Sequence, residues 1–519
     1  MKYSSQGKQY RLDLFPTTLE KSLDPSNRWY KLAGAIPWEE IERVYNKCLR
    51  NKHRGGGNKP VRMIVGALII KHKMNLSDEE TVQIIPENSY MQYFVGIEEF
   101  TSKPIFDSSL FVYIRKRLDL ETFNDLTLAV MEEEKRREEE AGKKRVEGNR
   151  GREDGVRGNH PANNTEKEDG KEDDSFMDED GKYHSGCLKV DATCCDVEVK
   201  YPTDLDVLND AREVSEHLID KLCKLSASPK PRTCRKQARR EFLRVIKKKR
   251  KPKTLIRKGI RQQPGYPGRN IQSVAGMVSG SSTSILNGLN RTGRQWIGTI
   301  IKVYHQQKGM YDTKTHQCGE RIISVFQPHV RPIVRGKSKS KVEFGAKIGV
   351  AVANGYTFID HFSRDAYNES VDLKTHVEAY IVRFGHLPAT CYADKIYMNR
   401  ENRAYLKGLH VRAAGKPLGR PGKEMQTEEY KLQSAKDMGK RNESESTFGT
   451  GKRVYNANDV RAKLPDTADA WTAACFLAKN VMKFLKGLLW LLFERSKLGL
   501  GKKFLMMDRI FLIQRATAA

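Results

Sequence analysis

No apolar run in this 519-residue chain is long enough to cross a bilayer. The longest, FLKGLLWLLF at 484–493, is broken by Lys486 and reads as a buried helix. The opening residues, MKYSSQGKQYRLDLFP, lack the apolar core of a secretory signal, so a reduced cytosol is the expected compartment. Cysteine is sparse: nine residues, an odd number, with no CxxC knuckle. His316 with Cys318, and Cys194 with Cys195, match no spacing that a zinc site uses. Acid is short as well, with 65 Asp and Glu against 93 Lys and Arg, a net charge of +28. An excess of that size, clustered as it is here, points to a polyanion as partner, and nucleic acid rather than membrane is expected.

What is present divides the chain. Residues 1–130 read as a helical domain: WEEIERVYNKCLRN and PVRMIVGALIIKHKM carry helical apolar spacing, with Pro60 at a helix start. LSDEETVQII opens with Ser77 and Glu80 in capping-box spacing. Short helices with exposed bases suit either a helix-turn-helix-like DNA reader or an ordinary helical bundle. Residues 131–184 have almost no large apolar side chains and dense mixed charge, the composition of a disordered linker whose first part extends the preceding helix. Order returns at CLKVDAT, a short strand over 187–191 ending in Asp191. A helical, basic insertion follows at about 204–335. Within it, KPRTCRKQARREFLRVIKKKRKPKTLIRKGIRQ contains a single acid, Glu241. A solvated helix face normally mixes both signs, so Arg239, Arg240, Lys247, Lys248, Lys249 and Arg250 are expected to meet DNA phosphates. Arg335 and Lys337 are expected to join them.

Two β-rich runs then flank Asn354-Gly355, a hairpin signal. A helix closed by Gly385, the strand PATCYAD ending in Asp394, a helix, the strand HVRAAG and a long apolar helix complete the order. Without the insertion this is an α/β pattern with a mixed sheet.

Asp191 and Asp394 both follow strand residues, and carboxylates at such positions on neighbouring strands converge at one sheet edge. There they can hold Mg²⁺, with Mn²⁺ as an alternative, for phosphodiester displacement. A third carboxylate is offered by GKRNESESTFGTGKR, 439–453. On a helix, at about 100° per residue, Glu443 and Glu445 diverge by about 200°, while Arg441, Phe448 and Lys452 lie within about 60° of Glu445. Glu445 is therefore the expected ligand and Glu443 is expected to be solvated. Gly449 and Gly451 are expected to weaken the end of this helix.

Together these residues resemble the DDE triad of bacterial insertion-sequence transposases. KVDATCCDVEVKYPTDLDVLNDAR is similar to the first-aspartate motif, YADKIYMNREN to the second, and RNESESTFGTGKRVY to the glutamate motif. HVRPIVRGKSKSKVEFGAKIGVAVANGY resembles the block leading into the hairpin, and NLSDEETVQIIPENSYMQYFVGI the N-terminal domain of that group. The resemblance implies an α/β ribonuclease H-like catalytic domain at 185–480, preceded by an all-α DNA-binding domain and followed by a helical tail at 481–519. It implies Asp191, Asp394 and Glu445 as metal-holding catalytic residues, and Arg441 and Lys452 as contacts to the DNA strand near the cut end. It implies double-stranded DNA as partner, both terminal inverted repeats and target, and a homodimer or larger assembly on the nucleoid. The alternatives left open are a catalytically impaired relative acting as a repressor, and a nuclease of this fold without strand transfer. One departure stands out: the tyrosine of the family signature, three residues before Arg441, is Met438 here.

Overall fold

The structure, a computed structural model, describes residues 18–49, 58–150, 175–280, 284–334, 342–415 and 427–496. The chain divides into two compact units. One comprises Met1–Phe176, Val352–Phe358 and Ala473–Ala519, the other Met177–Ala351 and Ile359–Thr472.

The first unit is built from α1 (Thr18–Ser22), α2 (Arg28–Ala35), α3 (Trp38–Lys47), α4 (Val61–Met74), α5 (Asp78–Glu87), α6 (Ser89–Phe94), α7 (Leu110–Arg117) and α8 (Leu120–Arg150). The capping box forms as its sequence predicts. The Ser77 hydroxyl accepts from the Glu80 amide at 3.1 Å, and the Glu80 carboxylate accepts from the Ser77 amide at 2.7 Å. Asp78, next in the chain, takes both terminal nitrogens of the buried Arg115 guanidinium, at 2.8 and 2.6 Å. Helix α8 continues well past Met131, into the charged stretch expected to be a linker. Residues 151–174 of that stretch lie outside the described residues, as does the tail from 497 on.

The second unit opens with the two-stranded sheet β1 (Phe176–Met177) and β2 (Tyr183–His184). Strand β3 (Cys187–Asp196) does not end at Asp191 as its sequence suggests. Ala192, Thr193, Cys194 and Cys195 are buried and carry it five residues further. Next come α9 (Asp204–Ser226), α10 (Arg235–Ile246), α11 (Lys253–Gln262), α12 (Gly265–Ser279), α13 (Ser284–Asn287) and α14 (Arg291–Asp312). These have a core of their own, with Val207, Leu218, Leu222, Val274, Ile300 and Val303 at its centre. Helices α9 to α14, between Asp204 and Asp312, thus pack around a cluster of their own, and the chain rejoins the sheet before the end of the expected 204–335 insertion.

The chain then returns to the sheet with β4 (Arg331–Val334), β5 (Val342–Ala353) and β6 (Tyr356–Ser363). Asn354 and Gly355 both have positive φ, 51° and 76°, the geometry that a two-residue hairpin turn needs. A short 3₁₀ turn (Glu369–Asp372) leads into α15 (Leu373–Phe384), which ends on Gly385 at φ 72°. Strand β7 (Thr390–Ala393), α16 (Arg400–Gly408), β8 (Arg412–Ala414), α17 (Glu428–Val454) and α18 (Pro465–Ser496) follow. The sheet order is β4-β5-β3-β7-β8, with β6 also paired to β5. It is mixed: β3, β7 and β8 run parallel, while β4 and β5 are antiparallel. At the β3–β5 seam only glycine fits at position 345, since a Cβ there would fall 1.9 Å from the Cys195 carbonyl oxygen.

Candidate functional site

Register brings the two aspartates side by side. Val190 on β3 pairs with Ala393 on β7, so Asp191 and Asp394 each directly follow a member of the last pair between these parallel strands. Asp394 is the first residue past the end of β7 and is exposed, whereas Asp191 is half-buried within β3. Burial pushes the Asp191 carboxyl up to about 6, and the neighbouring carboxylates of Glu369, Asp394 and Glu445 add to the rise. Four acids therefore share one field, which is the electrostatic condition of a cation site.

The third acid arrives on α17, which packs over β3 and β7. The helix does not fray at Gly449 and Gly451 but runs on to Val454, and Gly451 is buried in it. Its sheet-facing side is made by Ser444, Thr447, Phe448 and Gly451. Glu445 lies on one flank of this side. Arg441, one turn earlier, donates from Nη1 to Asp394 Oδ1 at 2.9 Å and from Nη2 to Glu445 Oε1 at 3.4 Å. Lys452 is half-buried near Cys194 of β3 and makes no hydrogen bond or ion pair among the described residues. Met438 is exposed.

Glu443 is exposed, as its sequence suggests, but it also has a partner the sequence does not show. It is ion-paired with Lys189, a buried lysine two residues before Asp191. Nothing local in the sequence announces this pair, because its members are 254 positions apart. Glu369 has no local signal either. It sits in the 3₁₀ turn before α15, paired with Lys347 of β5 at 2.8 Å.

The donor set suits a hard divalent cation: carboxylate oxygens from Asp191, Asp394 and Glu445, with the Arg441 guanidinium standing in as a cation between two of them. The three carboxylates stand wider apart than a closed metal cage. Among the described residues, the group whose ligand atoms all lie within 4.8 Å of one another is Asp178, Asp180 and His410. Protein donors already occupy that group. Asp178 accepts from His184 Nε2 at 2.9 Å and from the Lys182 amide at 2.8 Å, and Asp180 is paired with Lys182 Nζ at 3.4 Å.

The basic run lies on α10, on the turn after it and on α11. Ala238 and Val245 form the buried stripe of α10, and Arg239, Arg240, Lys247, Lys248, Lys249 and Arg250 are all exposed. No hydrogen bond or ion pair from their side chains occurs among the described residues. Arg335 and Lys337 lie outside the described residues. No helix of the described residues is long and apolar enough to cross a membrane.

Two aspartates at adjacent parallel strands of a mixed sheet, with a glutamate on a covering helix, form an acidic cluster at one edge of that sheet. Comparison with known proteins narrows the class. Residues 17–117 match the family model described as "Transposase domain (DUF772)", and residues 391–482 match "Transposase DDE domain". The two matches support an insertion-sequence DDE transposase, a class that uses divalent metal ions and binds DNA. The second match contains Asp394, Arg441, Glu445 and Lys452. The chain is also similar to "Uncharacterized protein ORF8 in nfe locus" of Rhizobium meliloti, 34% identical over 120 residues. That stretch is 23% of this chain, and it spans 57% of the relative's length. No solved structure matches the chain.

Proposed function

We propose that this chain is the transposase of an insertion sequence. It binds the terminal inverted repeats, cleaves DNA at the element ends and joins the freed 3′ ends to target DNA. The observation that carries the reading is the register of Asp191 with Asp394, with Arg441 linking Asp394 to Glu445 on α17.

In this reading Asp191, Asp394 and Glu445 hold Mg²⁺, or Mn²⁺ in its place. Bound there, such ions would supply an activated water or 3′-hydroxyl and stabilise the leaving oxygen in an in-line displacement. Arg441 and Lys452, one on either side of Glu445 along α17, take the phosphates of the strand being cut. The basic face of α10 and the turn after it, Arg239, Arg240 and Lys247 to Arg250, holds DNA further along the duplex. Residues 1–130 would read the repeats, the linker region 131–184 would join them to the catalytic domain, and two or more copies would hold two ends together.

Met438 favours a second reading, an impaired relative that occupies element ends without cutting them. One pair of assays separates the readings. Unmodified protein with Mg²⁺ and a labelled element end should give a cut 3′ end, and pre-cut ends with plasmid should give joined products. Binding without cutting would favour the repressor, and cutting without joining would favour a nuclease.

A further inference from the structure

Helix α17 carries Glu445 but has little apolar surface with which to seat itself. Its buried residues are Ser444, Thr447, Phe448 and Gly451, so Phe448 is the one large apolar side chain among them. Charge does the seating instead, and it reaches all three parallel strands. Arg412 of β8 grips Asp437 with both terminal nitrogens, at 3.0 and 2.8 Å. Arg441 reaches Asp394 at the end of β7. Lys189 of β3 pairs with Glu443.

The last pair stands in a particular relation to the proposed metal ligands. Lys189 precedes Asp191 by two residues, which in a strand puts both on one face. Glu443 precedes Glu445 by two residues. Ser444 between them is buried, so at about 100° per residue the two glutamates flank the seam where α17 meets the sheet. Lys189 has a side-chain exposure of 8%, against 44% for Glu443. A buried ammonium without a partner is strongly unfavourable, so Lys189 draws the Glu443 flank of the helix down. Rotation of α17 about its axis is thereby fixed, and with it the reach of Glu445 on the opposite flank.

We propose that Lys189 and Glu443 are a positioning pair that sets the rotation of α17 and so aligns Glu445 with Asp191 for divalent-cation binding. The inference rests on the reading of Asp191, Asp394 and Glu445 as metal ligands. Neither member of the pair needs to touch the cation or the DNA.

The test is a Mn²⁺ titration of the full chain followed by electron paramagnetic resonance, with a thermal melt of each variant. Glu443→Gln alters a half-exposed residue and should keep the fold, while Lys189→Met removes the buried charge. Each should weaken Mn²⁺ binding by about ten-fold or more, the usual cost of losing a residue that orients a ligand. Lys189→Arg, which keeps the pair, should bind nearly as the wild type does. The reversed pair, Lys189→Glu with Glu443→Lys, should recover most of the loss. Wild-type binding by both single variants would overturn the proposal, as would a reversed pair no better than either single. Glu445→Gln in the same titration separates the two levels of the argument. If it binds like the wild type, the metal-ligand reading itself fails. If it loses Mn²⁺ while Glu443→Gln and Lys189→Met do not, only the positioning role fails.

Discussion

Arg441 donates to Asp394 across 2.9 Å while its other terminal nitrogen reaches Glu445, so one guanidinium spans two of the three acids that define the candidate site. Glu445 and Arg441 are one helical turn apart, the spacing at which side chains on one helix face meet. The guanidinium thus stands where a divalent cation is expected to draw the same oxygens together. Arg441→Ala should therefore tighten Mn²⁺ binding to the DNA-free protein several-fold, because the cation no longer competes with an internal one. The same variant should weaken binding of a cut DNA end. Calorimetric titration with Mn²⁺ checks the first effect, and weaker Mn²⁺ binding would contradict it.

The six exposed bases of α10 and the turn after it have no partners among the described residues. Replacing Arg239, Arg240, Lys247, Lys248, Lys249 and Arg250 with glutamine should weaken binding to every duplex, repeat or not. The slope of log affinity against log salt should flatten by about 0.9 for each phosphate that the variant no longer neutralises. Fluorescence anisotropy over a range of KCl concentrations measures this. An unchanged slope would remove these residues from the DNA interface.

Helix α10 is tied to α9 by Asp220, which takes two hydrogen bonds from Arg235, both at 2.8 Å. Those bonds, with Lys230 nearby, hold the Asp220 carboxyl down to about 2. A carboxyl with a lowered pKa in the folded chain stabilises it above its unfolded value of 3.8, and that stabilisation fades as pH falls toward 2. The pair is about a third exposed, so solvent screening limits it to about 1 kcal/mol. Asp220→Asn should lower unfolding stability by that amount near neutral pH, with the gap to wild type narrowing below about pH 4. Urea unfolding at both pH values tests it, and a gap independent of pH would contradict the assignment.

Local pattern makes part of this molecule legible in the sequence. The Ser77–Glu80 capping box, the Asn354-Gly355 turn and the Gly385 helix stop are decided within a few residues, and each forms as read. The strand before Asp394 forms, ending at Ala393, one residue short of the aspartate. Strand β3 outruns its β-branched stretch because the small residues after Asp191 are buried in the sheet, a tertiary effect that local pattern does not carry. Helix α8 outruns its apolar stretch for a different reason. Arg136 and Arg137 both pair with Glu133, and Arg136 also pairs with Glu140, so charges at helical spacing support what composition alone assigns to a linker. At the proposed site, helix geometry accounts for Glu443 and Glu445 lying on opposite flanks of α17. It does not account for the engagement of Glu443 by Lys189, which depends on which strand the helix lies over.

The proposal that Asp191, Asp394 and Glu445 together hold the metal for DNA cleavage is tested most directly by cleavage of a labelled element end in Mg²⁺. Asp191→Asn, Asp394→Asn and Glu445→Gln are compared with the unmodified protein at matched end binding. Each variant is expected still to bind the end and to lose cleavage by about a thousand-fold or more, the scale of an essential catalytic group. Cleavage at the wild-type rate by any one of the three would contradict it.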